Sequence, residues 1–473
     1  MFQLQLLPDQ PLIKFDHQLP IFNWPYPFGR EEDLIEDRRV PYLIRESAEV
    51  RRRAVYIHIP FCETICSFCP FHRDKYQSDA EIDEYVNALI GEIDLKQKYL
   101  GRCNVDTIFV GGGTPSLLGP RQIEVLGRAL SRHFDLNGTT EFTFEVEVKS
   151  VSRDKLQAMR DIGVTRVSFG AQTFSEEYRS LFSLDASQKQ IVDAAALLNS
   201  MFSYTNVDLL YGMAGQDRDQ LYGDLTEALS LQTTTIDVYP INNLTAPRSM
   251  HRAMARAGLD FLPATTRLEF RIYLDQLLRE HGYAAISGYS YGVADKTCPD
   301  AFGPVQHSPK FLYHDMFYGH DDDEIIGFGS SALSRLPGFN LYNLTNRKAY
   351  VREVLTNGAL PHLSFGPIAA PERGIVSFPY RGTLVKTDVA WEKVPDETLM
   401  ALQETSSAGL IIDRGDAYEL TKVGWLFYVN LMYHLMPNTS KKWISSKIEQ
   451  LNQKGRSCGD TDLMKLVGSD LSI

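Results

Sequence analysis

Cys62, Cys66 and Cys69 share one short stretch, Tyr56-Ile-His-Ile-Pro-Phe-Cys62-Glu-Thr-Ile-Cys66-Ser-Phe-Cys69-Pro-Phe71. Thiolates with this spacing can reach three corners of a cubane iron–sulfur cluster, which normally takes four protein ligands. No further cysteine follows closely, so one iron is left open. An open iron can chelate the amino and carboxylate groups of a small molecule. An electron passed to a chelated sulfonium can then break a carbon–sulfur bond and give a carbon radical. The competing use of the same thiols is a structural zinc site completed by His58 or His72. A disulfide within the loop is disfavoured in a reducing compartment. Cys103, Cys298 and Cys458 lack any pairing pattern and read as small buried hydrophobes.

Other residues are placed to serve such a centre. Gly111-Gly112-Gly113-Thr114-Pro115 follows an apolar run, and consecutive glycines let backbone approach a ligand closely. Glu145, in Phe-Glu-Val-Glu, points inward if its strand alternates, with Glu147 as its same-face neighbour. A lone inward carboxylate is costly, so it needs a partner. Tyr56 is placed either to hydrogen-bond near the thiols or to pack.

The elements that position these residues follow from periodicity. Strands are predicted over 54–59, 107–110, 142–148, 164–169, 206–210 and 236–239, with helices between them at 79–100 and 120–134. Ser152 caps a further helix that Gly163 closes. Strand–helix alternation forces parallel strands with crossover helices. The fold class is therefore α/β, a partial (β/α)6 barrel. Its chemistry belongs at the C-terminal strand ends, where the cysteines and the glycine run fall. After about residue 245 the alternation fades, though 266–281 reads as a helix. Residues 388–436 follow a winged-helix order, with Arg414-Gly415-Asp416 as the turn. The expected organisation is an N-terminal arm over 1–50, the barrel over 51–290 and a mixed segment closing it over 291–370. A winged-helix-like α+β module over 371–440 and a polar tail over 441–473 complete it.

The net charge of −12 argues against nucleic acid as the main partner, because phosphate binding needs clustered Lys and Arg. The first residues carry no basic region and only a short apolar run broken by Pro8, so no signal peptide is expected. A cytoplasmic location is expected. The apolar stretch 425–436 is too short to span a bilayer but suggests a peripheral membrane contact, unless it is a buried helix.

The cysteine loop, with aromatic Phe68 before the last cysteine, resembles that of the radical S-adenosylmethionine (SAM) superfamily. Four more motifs follow in order: Gly-Gly-Gly-Thr-Pro-Ser from Gly111, Arg-Val-Ser-Phe-Gly-Ala-Gln-Thr-Phe from Arg166, Asn-Val-Asp-Leu-Leu-Tyr-Gly from Asn206 and Gly-Phe-Gly-Ser-Ser-Ala from Gly327. Together they are similar to the oxygen-independent coproporphyrinogen III oxidase family. The resemblance implies a 4Fe-4S cluster on Cys62, Cys66 and Cys69, with SAM on the open iron. It implies that Gly112, Gly113 and Thr114 meet the SAM amino group. Glu145, Gln172 and Asp208 would surround SAM, Phe71 would set its backbone against the adenine, and Tyr56 and Phe68 would flank the site. Flavodoxin or ferredoxin is the implied electron donor.

The chain departs from the porphyrinogen-oxidising pattern in several places. The arm reads Ile21-Phe-Asn-Trp-Pro-Tyr-Pro-Phe-Gly, where those members have Tyr-Thr-Ser-Tyr-Pro. Phe71 stands where they carry a further cysteine. Leu184 stands where an Arg usually pairs with the SAM carboxylate, leaving Arg166 or Arg179 to compensate. Gly212-Met-Ala-Gly-Gln216 replaces the usual Gly-Leu-Pro-Gly-Gln. These differences point to the class C radical SAM methyltransferases, which resemble the oxidase and use two SAM molecules to methylate an sp2 carbon. The expected substrate is a flat aromatic or quinone ring, menaquinone first. Oxidative decarboxylation of coproporphyrinogen III, or another tetrapyrrole reaction, is the alternative enzyme. A haem-binding protein of the same fold is the non-enzymatic one.

Overall fold

The computed structural model describes residues 26–45, 50–241, 247–293 and 311–453, the last seven as backbone only. The first 25 residues, Cys298, Cys458 and most of the polar tail lie outside the described residues.

Six strands form the parallel centre: β1 (Arg52–Ile59), β2 (Thr107–Gly112), β3 (Glu141–Val146), β4 (Arg166–Gln172), β5 (Tyr204–Tyr211) and β6 (Thr235–Pro240). Each pairs in parallel with the next. Their middle residues are buried nearly throughout, as strands covered on both faces must be. The crossovers are α1 (Asp79–Leu100), α2 (Pro120–His133), α3 (Arg153–Asp161), α4 (Gln188–Met201) and α5 (Arg218–Ser230), with a short helix, Glu176–Phe182, before α4. Their starts are written locally. Ser78, Ser152, Ser187 and Asp217 each accept a backbone N–H of the first turn, and Pro120 opens α2.

The sheet does not close. Beyond β6, the strands β7 (Tyr283–Ala285) and β8 (Ser290–Val293) add antiparallel, after helix α6 (Ala264–Glu280). On the other flank β9 (Asp323–Phe328) lies parallel beside β1. Antiparallel β10 (Leu333–Leu336), β11 (Phe339–Asn343) and β12 (His362–Phe365) continue outward, and Leu34–Ile35 forms the edge. The result is a thirteen-stranded open sheet. The strands of the mixed segment thus extend the sheet at its flank. A helix of that segment, α7 (Leu312–Phe317), lies against β1, β2 and β9. Phe311, Tyr313 and Met316 pack there with Ala54, Phe109 and Ile325. The Glu141 carboxylate, at the start of β3, accepts the backbone N–H groups of Leu312 (2.8 Å) and Tyr313 (3.3 Å).

The C-terminal part carries α8 (Arg373–Arg381), a three-stranded antiparallel sheet, and α9 (Asp396–Ser407), α10 (Lys422–Leu426) and α11 (Tyr428–Leu435). The sheet has β13 (Thr383–Val385) and β14 (Ile411–Asp413) on either side of β15 (Ala417–Leu420). The apolar stretch 425–436 is not presented to a membrane. Trp425, Leu431, Met432, Leu435 and Met436 are all buried, and α11 packs on α8. Burying that stripe internally is what its apolar face is for. Among the described residues no helix is long and apolar enough to cross a membrane.

Candidate active site

The cysteine loop leaves the C-terminal end of β1. Cys62 sits in a two-residue strand, Phe61–Cys62, paired with Asp74–Lys75. The backbone N–H of Tyr76 donates to the Cys62 carbonyl at 2.8 Å, and that of Asp74 to the Pro60 carbonyl at 2.7 Å. The loop tip is tied to the Glu176–Phe182 helix. Ser67 donates to the Phe182 carbonyl through its N–H (3.1 Å) and to the Leu181 carbonyl through Oγ (3.3 Å). Ser249 Oγ donates to the Ser67 carbonyl at 2.7 Å.

The surroundings fit an iron–sulfur cluster. Cys62 Sγ accepts the Thr114 hydroxyl at 3.5 Å. Arg73 sits beside the loop and is the cation that pulls the three thiols toward thiolate. Burial works against it, pushing Cys66 to about 11 and Cys69 to about 12, and raising Cys62 as well. Bound iron would supply the missing positive charge and reverse that balance. Among the described residues no three His, Cys, Asp or Glu side chains converge as ligands of a single ion. A cubane asks less, because its ligated irons sit at separate corners. His58 is committed elsewhere: Tyr56 Oη lies 2.8 Å from its Nδ1 and the His72 carbonyl 3.0 Å from its Nε2. It therefore does not complete a zinc site. Tyr56 packs as well, stacking on Phe109 and Tyr313.

The glycine run at the end of β2 abuts this loop. Gly113 N–H donates to the Ile59 carbonyl and Thr114 N–H to the Phe61 carbonyl, each at 2.7 Å. A Cβ on Gly113 would stand 2.7 Å from the Phe61 carbonyl oxygen, and one on Gly112, at φ +117°, 2.7 Å from the His58 ring. The glycines are needed here for backbone to meet backbone. Gly112 N–H donates to Glu145 Oε2 at 3.0 Å, which gives Glu145 the partner its inward position required. Burial lifts the Glu145 carboxyl to about 7 despite that bond and the nearby Arg166.

Asp208 and Asp237 stand opposite one another in the β5–β6 register. Asn206 Nδ2 donates to Asp208 Oδ1 at 2.7 Å and reaches Asp237 Oδ2 at 3.4 Å. Burial raises both carboxyls, and the charge of Asp237 adds to the rise at Asp208. Arg166 is the cation acting on Glu141, Glu145, Asp208 and Asp237 alike. Its guanidinium lies 4.0 Å over the Phe311 ring, and its buried Nη1 has no hydrogen-bond partner. Sequence reasoning missed Asp237, although its signal was present: an Asp in mid-strand among apolar residues, like Asp208.

The other expected residues are less closely drawn in. Gln172 ends β4 at φ +67°, its amide folded back over Gly170. The Phe68 ring packs edge-on against Phe182 at 5.6 Å. The Phe71 ring is 58% exposed, and its carbonyl accepts Arg73 Nη1 at 2.6 Å. Arg179 does not replace the missing Arg at Leu184. Its guanidinium is spent on the carbonyls of Ala171 (3.0 Å), Thr173 (2.8 Å) and Ala186.

Residues 56–227 match the family model described as the Radical SAM superfamily. The chain is 27% identical over 360 residues to the haem chaperone HemW of Bacillus subtilis, covering 75% of this chain and 84% of that one. It is 28% identical over 316 residues to the oxygen-independent coproporphyrinogen III oxidase of Escherichia coli, covering 65% and 66%. Among solved structures, the coproporphyrinogen III oxidase HemN of Escherichia coli aligns with a TM-score of 0.71 at 22% identity, over 86% of this chain and 96% of that one. That likeness shows the fold.

Proposed function

We propose that this chain, a radical SAM protein related to coproporphyrinogen oxidases and haem chaperones, is an enzyme that works by hydrogen abstraction from a tetrapyrrole or a similarly flat substrate. Its cofactors are a 4Fe-4S cluster and SAM. The observation that carries the reading is the cysteine loop at the mouth of the open sheet, with Thr114 on Cys62 and Glu145 on the glycine run beside it.

Cys62, Cys66 and Cys69 would hold the cluster. Bound together and reduced by one electron, from a flavodoxin or ferredoxin, the cofactors supply a carbon-centred radical. The protein does the rest by positioning. Thr114 donates to Cys62 Sγ, which would be one of the ligating sulfurs. Glu145, as its anion, would take the SAM ammonium, and Asp208 would border the same side of the site. Gln172, Tyr56, Phe68 and Phe71 would border the site.

Two readings of the substrate differ in outcome. The relatives favour a tetrapyrrole: coproporphyrinogen III would lose carbon dioxide and gain a vinyl group. A specific feature favours methyl transfer to a flat ring instead. The interior presents carboxylates and aromatic rings, and its shared cation, Arg166, lies under Phe311. An uncharged flat ring would meet this lining without setting further carboxylates against Glu145, Asp208 and Asp237. In that reading two SAM molecules are used, S-adenosylhomocysteine is released, and the naphthoquinone ring of menaquinone is the first candidate. Anaerobic reaction with methyl-deuterated SAM under strong reductant separates the two. Carbon dioxide without label transfer supports the first, and a deuterated ring product the second. Intact SAM in every arm rules out the radical chemistry.

A further inference from the structure

The sheet, α7 and the C-terminal part meet around a small cavity that the site above does not use. Ser287, Phe311, His314, Asp315, Tyr380 and Arg381 are among the residues that line it. His314 is held there by two hydroxyls from different parts of the chain. Its Nδ1 lies 3.1 Å from Tyr380 Oη and 3.3 Å from Tyr289 Oη. Ser287 Oγ donates to Tyr380 Oη at 3.2 Å. Tyr380 thus accepts from Ser287, which leaves its own proton free for Nδ1.

That direction fixes the imidazole. A neutral ring whose Nδ1 accepts carries its proton on Nε2. Burial keeps the ring neutral, well below the usual histidine range at about 3, with Arg166 adding to the effect. Packing sets its plane: the Phe311 ring stacks on it at 3.9 Å, and Tyr380 is itself stacked on Tyr318 at 3.8 Å. Among the described residues Nε2 has no hydrogen-bond partner. The same cavity is bordered by a second donor without a partner, Arg381 Nε. Asp315, which also lines the cavity, has its Oδ2 engaged by Arg52 at 2.6 Å. Beside aromatic walls, the Arg381 Nε–H and the His314 Nε2–H suit a single oxygen at the edge of a ring.

We propose that His314 is a ligand-binding residue whose Nε2–H donates to an oxygen on a flat ring substrate. This rests on the reading of the chain as an enzyme for such a substrate. The oxygen is either a carboxylate on a tetrapyrrole or a carbonyl of a quinone, and the test separates them.

The test is equilibrium dialysis of the full-length, cluster-loaded protein against coproporphyrin III and, separately, menadione. At least one probe should bind the unaltered protein. H314F should weaken that binding tenfold or more. H314Q, which keeps an N–H near the Nε2 position, should restore it to within threefold. Y380F, which frees the imidazole from its orienting proton, should weaken it by a smaller factor. Dependence on His314 for coproporphyrin III identifies a carboxylate, and for menadione a carbonyl. The proposal is overturned if neither probe binds, if H314F binds as well as the unaltered protein, or if H314Q is as weak as H314F. Should H314F not fold, an unchanged affinity in Y380F overturns it. Dialysis consumes no SAM, so a protein that leaves SAM intact yet binds a probe through His314 sinks the radical reading and spares this one.

Discussion

Cys62, Cys66 and Cys69 are dissimilar in setting although they share a loop. Cys62 takes the Thr114 hydroxyl, while Cys66 and Cys69 are the thiols that burial pushes to about 11 and about 12. Replacing any one by Ala should abolish both bound iron–sulfur and SAM cleavage, read as iron content and deoxyadenosine formed. Retention of a full cluster by C66A would contradict its assignment as a ligand. Glu145 makes a prediction of its own. Its carboxyl is lifted to about 7, so it is neutral below that pH and anionic above. SAM should bind more tightly as pH rises through about 7, and E145Q should remove that dependence. Stability runs the other way. A carboxyl raised from its unfolded value stabilises the fold only at low pH, and this contribution is lost as pH rises through about 7. The ligand-free protein should therefore lose stability across that range, and E145Q should be spared the loss, as followed by chemical denaturation.

Two elements hold the site from behind. The glycine run lets β2 end against the cysteine loop with no side chain between them. G113A would put a methyl 2.7 Å from the Phe61 carbonyl oxygen, so backbone must shift. Lower cluster occupancy at unchanged helix content is the expected result, read by iron assay and circular dichroism. On the outer side, α1 carries a fully buried ion pair, Lys96 Nζ to Glu92 Oε1 at 2.6 Å. Glu92 also accepts from Gly329 N–H, Tyr350 Oη and Asn343 Nδ2, each at 2.7 Å, and Lys96 donates to the Gly327 carbonyl at 2.6 Å. The pair thus clamps the Gly327-Phe-Gly-Ser330 stretch at the end of β9 onto α1. Breaking a buried pair by removing one member costs about 3–5 kcal/mol. K96M should lower unfolding stability by that order in a denaturant titration.

At the scale of the molecule, late segments complete early ones. β9, some 270 residues after β1, supplies its second parallel neighbour. Arg45 and Arg53 converge on Glu324, and Arg52 bridges Asp315 (2.6 Å) and Asp323 (2.7 Å). Tyr289 and Tyr318 are covered by Tyr380 and Tyr428 of the C-terminal part. A chain ending at Ala370 would expose this cluster. It should aggregate or bind a hydrophobic dye strongly, and a soluble truncated protein of unchanged thermal stability would show that the C-terminal part is dispensable for folding.

The linear sequence determined what local chemistry alone can write. Three thiols in one loop, glycines after a strand, caps at helix starts and alternating apolar runs each depend on residues a few positions apart. The three-cysteine loop after the first strand, the parallel strands and the α/β class were therefore legible. Tertiary structure decided what depends on distant residues meeting. It buried 425–436 against α8 and spent Arg179 on backbone carbonyls. It set Asp237 opposite Asp208 and brought His314 under two tyrosines from separate segments. Whether a side chain is a ligand, a staple or a core residue rests on what stands across from it, and no spacing along the chain records that.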